Sequence, residues 1–375
     1  MNFEDIRPYS DSEVKEKIQK LLSEEQFQQV IAYAIPEIPF EIFKKQMNAV
    51  TTIKEFQAKI IVPLLDQLLK KSSEGISFNG TENLKKGKGY LFVSTHRDIV
   101  LDSALMNYIL LQEGFETAEI AIGDNLMKIP WVVDLVKLNK SFIVKRDLPK
   151  EQKVEGSMQL SAYINHAIQE NGKSIWIAQR SGRSKNGDDR TNPSILKMFN
   201  LMGKSGTTLE NIKALDICPV SISYEYNPCD ALTLPELITV SKGEKYEKQP
   251  MEDMIHMGQG IEGVKGKIEV SFGKPINTSI DELKGIANRN ELLSSIAKQI
   301  DDEIHSTYKL LSTNYISYDL LHQSDQFKDQ YSTEQKDGFV AYMTQKIQGI
   351  EGDEKLKEET FLKMYANPVV NKLAL

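Results

Sequence analysis

Residues 94–98 read Ser-Thr-His-Arg-Asp, which puts the imidazole of His96 within a few positions of two carboxylates, Asp98 and Asp102. A carboxylate bonded to one ring nitrogen fixes the tautomer and leaves the other nitrogen free to take a proton, the arrangement of a general base. From the sequence alone either aspartate can fill that place. Two later clusters carry cations instead. Phe142-Ile-Val-Lys-Arg-Asp147 is an apolar run ending in Lys145 and Arg146. Ile175-Trp-Ile-Ala178 runs into Gln179, Arg180, Ser181, Gly182, Arg183, Ser184 and Lys185. Cations and free backbone N–H groups at successive strand ends can converge on one anion, and phosphate is the usual one.

Elements with suitable spacing exist to position these groups. Tyr90 to Val93 reads as a buried strand, and Leu101, Ala104, Leu105, Tyr108 and Ile109 form a helical stripe closed by Gly114. Further strands are expected near 76–79, 118–122, 141–144, 174–178, 216–224 and 267–272, with helices near 126–138, 154–170 and 193–202 between them. That alternation predicts an α/β fold, a mostly parallel central sheet flanked by helices. Helical additions are expected at both ends, giving an N-terminal subdomain over 1–74, an α/β domain over 75–280 and a C-terminal region over 281–375. The tail is read as helices at 290–311, 332–350 and 355–365. Residues 227–265, with Pro228, Pro235, Pro250 and a charged run, read as a surface insertion, and His256 within it as a surface or structural residue.

Composition narrows the function classes. A net charge of −7 argues against general nucleic-acid binding, and the two cysteines, Cys218 and Cys229, form neither a zinc pattern nor a disulfide framework. The acidic N-terminus lacks the apolar core of a signal peptide, and no run reaches the ~18 apolar residues of a spanning helix. A cytoplasmic protein is expected, with any membrane contact peripheral and on the cytoplasmic face. Trp131 has two readings, core packing or an apolar contact, in a tunnel or with lipid.

Four stretches in this order resemble the glycerolipid acyltransferase superfamily, which joins glycerol-3-phosphate and 1-acylglycerol-3-phosphate acyltransferases. His96 and Asp102 are similar to its first block, Phe142 to Arg146 to the second, Gln179-Arg-Ser-Gly-Arg-Ser184 to the third and Cys218-Pro-Val220 to the fourth. The likeness spans about residues 76–277. Two departures stand out. Five residues separate His96 from Asp102 where the family has four, and Gln179 replaces the usual Glu. His96-Arg97-Asp98 is also similar to a protein-kinase catalytic loop, but Ser103 stands where that loop needs Asn, and the glycine-rich loop and Asp-Phe-Gly are missing.

The resemblance implies transfer of a fatty acyl group from an acyl thioester, on acyl carrier protein or coenzyme A, to a hydroxyl of glycerol 3-phosphate or a lysophospholipid. His96 would be the general base, with Asp102 or Asp98 orienting it. Arg97, Lys145, Arg146, Gln179, Arg180, Ser181, Gly182, Arg183 and Lys185 would bind the substrate. No cofactor or metal is called for. The alternatives are a catalytically silent lipid-binding scaffold and an O-acyltransferase for a non-glycerol lipid acceptor. The enzyme reading requires Lys145, Arg146 and Arg183 to face the same hollow as His96.

Overall fold

The computed structural model describes residues 1–146 and 148–375, so Asp147 lies outside the described residues. Seven strands form one sheet: β1 (Ser73–Asn79), β2 (Leu91–Ser94), β3 (Glu119–Gly123), β4 (Ser141–Val144), β5 (Ile175–Ala178), β6 (Ile217–Tyr224) and β7 (Gly266–Phe272). Their spatial order is β1-β7-β6-β2-β5-β3-β4. Every neighbouring pair is parallel except β6 with β7. The strands match the expected positions within a few residues. β2 and β6 are buried at every position, as central strands covered on both faces must be, which is why they read as continuous apolar runs.

The chain leaves β2 toward β3 on one side and leaves β5 for β6 on the other, so the direction of winding reverses around β2. The carboxyl ends of β2, β5, β3, β4 and β6 share one edge of the sheet, where open α/β folds leave a crevice. One face of the sheet is covered by a core drawn from Tyr163, Ile164, Phe199, Leu293, Ile296 and Ile300. The other is covered by Leu65, Leu69, Leu101, Leu105 and Ile109. Helix Leu101–Gln112 is buried on nearly all sides, broader than the single stripe its spacing suggested.

The N-terminal helices Val14–Ser23, Glu25–Ala34 and Phe40–Asn48 pack round Phe27, Phe43 and Met47. Trp131 joins them: its ring lies 5.7 Å from that of Phe27 and its Nε1 donates to Gln26 at 3.2 Å. The backbone also closes the sheet edge there, Ile143 N donating to Ile6 O at 2.9 Å.

Two helical expectations need correction. The 227–265 stretch is not a surface insertion but carries helices Asp230–Ser241 and Glu252–Glu262. The second is anchored at its C-terminal end by Lys265, whose buried ammonium donates to Ile261 O, Gly263 O and Ser72 Oγ at 3.0, 2.6 and 3.0 Å. Burial pulls that ammonium down to about 8. In the tail, Ser312–His322 is a separate helix, and Glu354–Leu373 runs on through Pro368. Its packing on Leu234, Ile316 and Phe339 overrides the local penalty of the proline.

Candidate active site

The residues that follow β2 form a tight corner before helix Leu101–Gln112, and two aspartates clasp its backbone. Asp102 Oδ2 accepts from the N–H groups of Arg97 at 2.6 Å and Asp98 at 3.0 Å, and from His96 Nδ1 at 2.9 Å. Its Oδ1 accepts from the Tyr224 hydroxyl at 2.8 Å. This acceptor-only bonding is that of a carboxylate rather than a carboxylic acid. Asp98 does not bond His96. Its Oδ1 caps the helix, accepting from Val100 N at 2.8 Å and Leu101 N at 2.7 Å, so the residue extra to the family spacing is absorbed in the cap. Burial and the nearby Asp102 charge push the Asp98 carboxyl above its ordinary range. Of the two aspartates left open by the sequence, Asp102 is thus the one that touches the imidazole.

His96 is held from three sides. Its ring stands edge-on to Trp176 at 5.4 Å, its carbonyl accepts from Ser184 N at 2.7 Å, and Nδ1 is bound to Asp102. Nε2 bonds no described residue, and the side chain is 15% exposed, so this nitrogen is the one that can meet a ligand. Thr95 ties the corner to β6: its N–H donates to Val220 O at 3.1 Å and its Oγ1 accepts from Ile222 N at 2.9 Å.

The cations separate into different roles. Arg97 is buried, and its guanidinium grips Asp189 with two bonds of 2.5 and 2.6 Å and Ser184 O with a third of 3.0 Å. It braces the 184–189 loop from within, which corrects its expected place among the substrate-binding groups. Arg183 lies in the same loop; its Nη2 bonds His256 Nδ1. Lys185 is ion-paired with Glu236 and Lys145 with Asp5. Arg180 and Arg146 form no ion pair with a described residue. Gln179 is fully buried with neither amide atom bonded to a described residue, so it underlies the loop instead of presenting its amide at the surface. Ser181 and Gly182 are exposed, and Gly182 has φ +76°, the left-handed backbone that lets the loop turn.

Lys145 and Arg146 follow β4, which lies three strand spacings or about 14 Å from β2. They share the edge with His96 without joining its cluster. The expected convergence is therefore partial: Arg183 belongs to the loop bonded to the corner, and Lys145 is committed elsewhere.

Three participants escaped the sequence reading. Asp189 has no local feature that marks it as the partner of Arg97. Tyr224 closes the strand expected near 216–224, and that place at a strand end is the signal that could have found it. His256 is buried, and burial with the Arg183 and Lys185 charges pulls its imidazole down to about 4. Its spacing to Gly260 puts both on one helix face; a Cβ at Gly260 would stand 1.9 Å from Asp98 Oδ2, so only glycine lets this helix lie so close. A cavity of about 10 Å³, lined by Arg97, Tyr224, Asn227, Tyr308, Asn314, Met364 and Tyr365, does not include His96.

Residues 75–223 match the family model named Acyltransferase. The glycerol-3-phosphate acyltransferase of Hamiltonella defensa subsp. Acyrthosiphon pisum (strain 5AT) is 24% identical over 300 residues, 74% of this chain and 34% of that protein. The chain thus spans about a third of the length of this curated relative. The crystal structure of the 1-acyl-sn-glycerophosphate (LPA) acyltransferase PlsC from Thermotoga maritima aligns with 76% of this chain and 95% of its own at 13% identity, with a TM-score of 0.36. Among the described residues, no helix is long and apolar enough to cross a membrane. Over residues 75–223, where the four sequence blocks lie, the chain is thus similar to the Acyltransferase family.

Proposed function

We propose that this protein transfers a fatty acyl group from an acyl thioester to the hydroxyl of a phosphorylated glycerol, glycerol 3-phosphate being the first acceptor to test. The observation that carries this reading is the 2.9 Å bond from His96 Nδ1 to the buried Asp102, with Nε2 left unbonded. His96 Nε2 takes the hydroxyl proton as the acceptor oxygen attacks the thioester carbon. The C–O bond forms, the C–S bond breaks, and the proton passes to the departing thiolate. Arg183 and Arg180, on the loop bonded to the corner, would hold the phosphate and so position the hydroxyl. The relative named for glycerol 3-phosphate supports that choice of acceptor.

The ion pairs of Lys145 with Asp5 and Lys185 with Glu236 thin the set of free cations. They favour, as a second reading, an acceptor without a phosphate, a non-glycerol lipid.

The test is thiol release from long-chain acyl-CoA or acyl-acyl carrier protein with each acceptor in turn. Hydroxyl-dependent release is expected, and His96→Ala should lower it by ~10²–10⁴-fold. Near-normal turnover by His96→Ala refutes the mechanism. Saturable acyl-thioester binding with no turnover under any acceptor points to a silent lipid-binding protein instead.

A further inference from the structure

The Asp102 carboxylate has a partner that neither motif spacing nor the family blocks supplied. Its Oδ2 takes three donors from the corner, whereas Oδ1 has Tyr224 Oη–H alone, at 2.8 Å. Both side chains are buried, Asp102 to 0% exposure and Tyr224 to 4%. Tyr224 ends β6, which pairs with β2 from Leu91 to Ser94, so the hydroxyl reaches across the sheet edge from the neighbouring strand. On its far side the phenol borders the cavity shared with Arg97, Tyr308 and Asn314.

We propose that Tyr224 is a positioning residue for His96, acting through Asp102; this rests on the reading of His96 as the general base. The hydroxyl fixes the rotation of the carboxylate so that Oδ2 faces the imidazole. It also withdraws part of the carboxylate's charge. When His96 takes the acceptor proton, the imidazolium is stabilised by Asp102, and the strength of that stabilisation depends on how much charge Tyr224 draws off. Removing the hydroxyl leaves a buried anionic oxygen with no partner, a state that favours rotation of the carboxylate or a water in the gap. The ring need not touch substrate for this.

The titratable groups facing the pair are His96, Arg97 and Asp98 on the corner, Cys229 beyond the phenol, and Tyr308 and Tyr365 across the cavity. Of these, Arg97 is paired with Asp189.

The experiment compares the full chain with Tyr224→Phe, Asp102→Asn, the double variant and His96→Ala. It uses the acyl thioester and acceptor that give turnover, from pH 5.5 to 9, with thermal midpoints in parallel. Tyr224→Phe should lower kcat about tenfold, leave both KM values within about twofold, and raise the acid limb of kcat/KM by about half a unit, as the undiluted carboxylate charge makes His96 more basic. In the Asp102→Asn background the same change should add almost nothing, because both act on one group. If Tyr224→Phe does not fold, 3-fluorotyrosine at position 224, a stronger donor of the same shape, should move the acid limb down. Unchanged kcat and an unmoved acid limb overturn the proposal, as does a fall in kcat that adds fully to Asp102→Asn. Turnover by His96→Ala would instead sink the general-base reading itself, an outcome distinct from failure at Tyr224 alone.

Discussion

Arg97→Met tests whether the buried guanidinium is a brace or a substrate ligand. Arg97 and Asp189 side chains are 6% and 1% exposed and share two short bonds, with a third from Arg97 to Ser184 O. Methionine keeps much of the stem's packing but removes the charge, so the Asp189 carboxylate stays buried without its partner. Breaking such a pair from one side costs about 3–5 kcal/mol, most of it the cost of the stranded charge. Replacing both ends by apolar groups, as in Arg97→Met with Asp189→Leu, removes the stranded charge, and the total cost should fall to about 1–2 kcal/mol. Urea denaturation gives the free energies, compared at unchanged slope so that a shift in midpoint is a shift in stability. The same variants are assayed for acceptor KM. The reasoning fails if Arg97→Met loses less than about 1 kcal/mol and the two single effects simply add. Should KM for a phosphate-bearing acceptor rise tenfold or more at undiminished stability, Arg97 holds substrate after all.

His256 gives a pH signature. It is buried beside Arg183 with its imidazole pulled down to about 4, against about 6.5 in an unfolded chain. The unfolded state therefore gains a proton first as pH falls, so this contribution is whole above 6.5 and is lost on the way down to 4. Wild-type stability should drop by about 2 kcal/mol more than that of His256→Gln between pH 7 and 5, and equal slopes in urea melts would contradict it. Arg183→Ala should raise the KM of phosphate-bearing acceptors about tenfold while leaving non-phosphate acceptors near normal, whereas Lys145→Ala, already committed to Asp5, should leave both unchanged. A matching rise for Lys145→Ala in the same acceptor titration would show that β4 reaches the substrate.

Much of this molecule is written locally. The central strands are short apolar runs bounded by turn residues, so their positions and the α/β alternation follow from patterning. The corner of His96 and its aspartates was also legible, because its spacing is a property of one continuous segment. What the sequence left open was which partner each polar group takes, since that depends on strand order. Asp98 and Asp102 look equivalent in the chain. Only the folded corner turns one toward two helix N–H groups and the other toward the imidazole. Arg97, Lys145 and Lys185 read as free cations because their carboxylates lie 92, 140 and 51 residues away in the chain. Likewise Tyr224 meets Asp102 across 122 residues because β6 lies beside β2, and helix Glu252–Glu262 brings His256 onto Arg183. Local propensity and periodicity act over a few residues, whereas the field and hydrogen bonds at a site are set by whatever tertiary packing brings within a few ångströms.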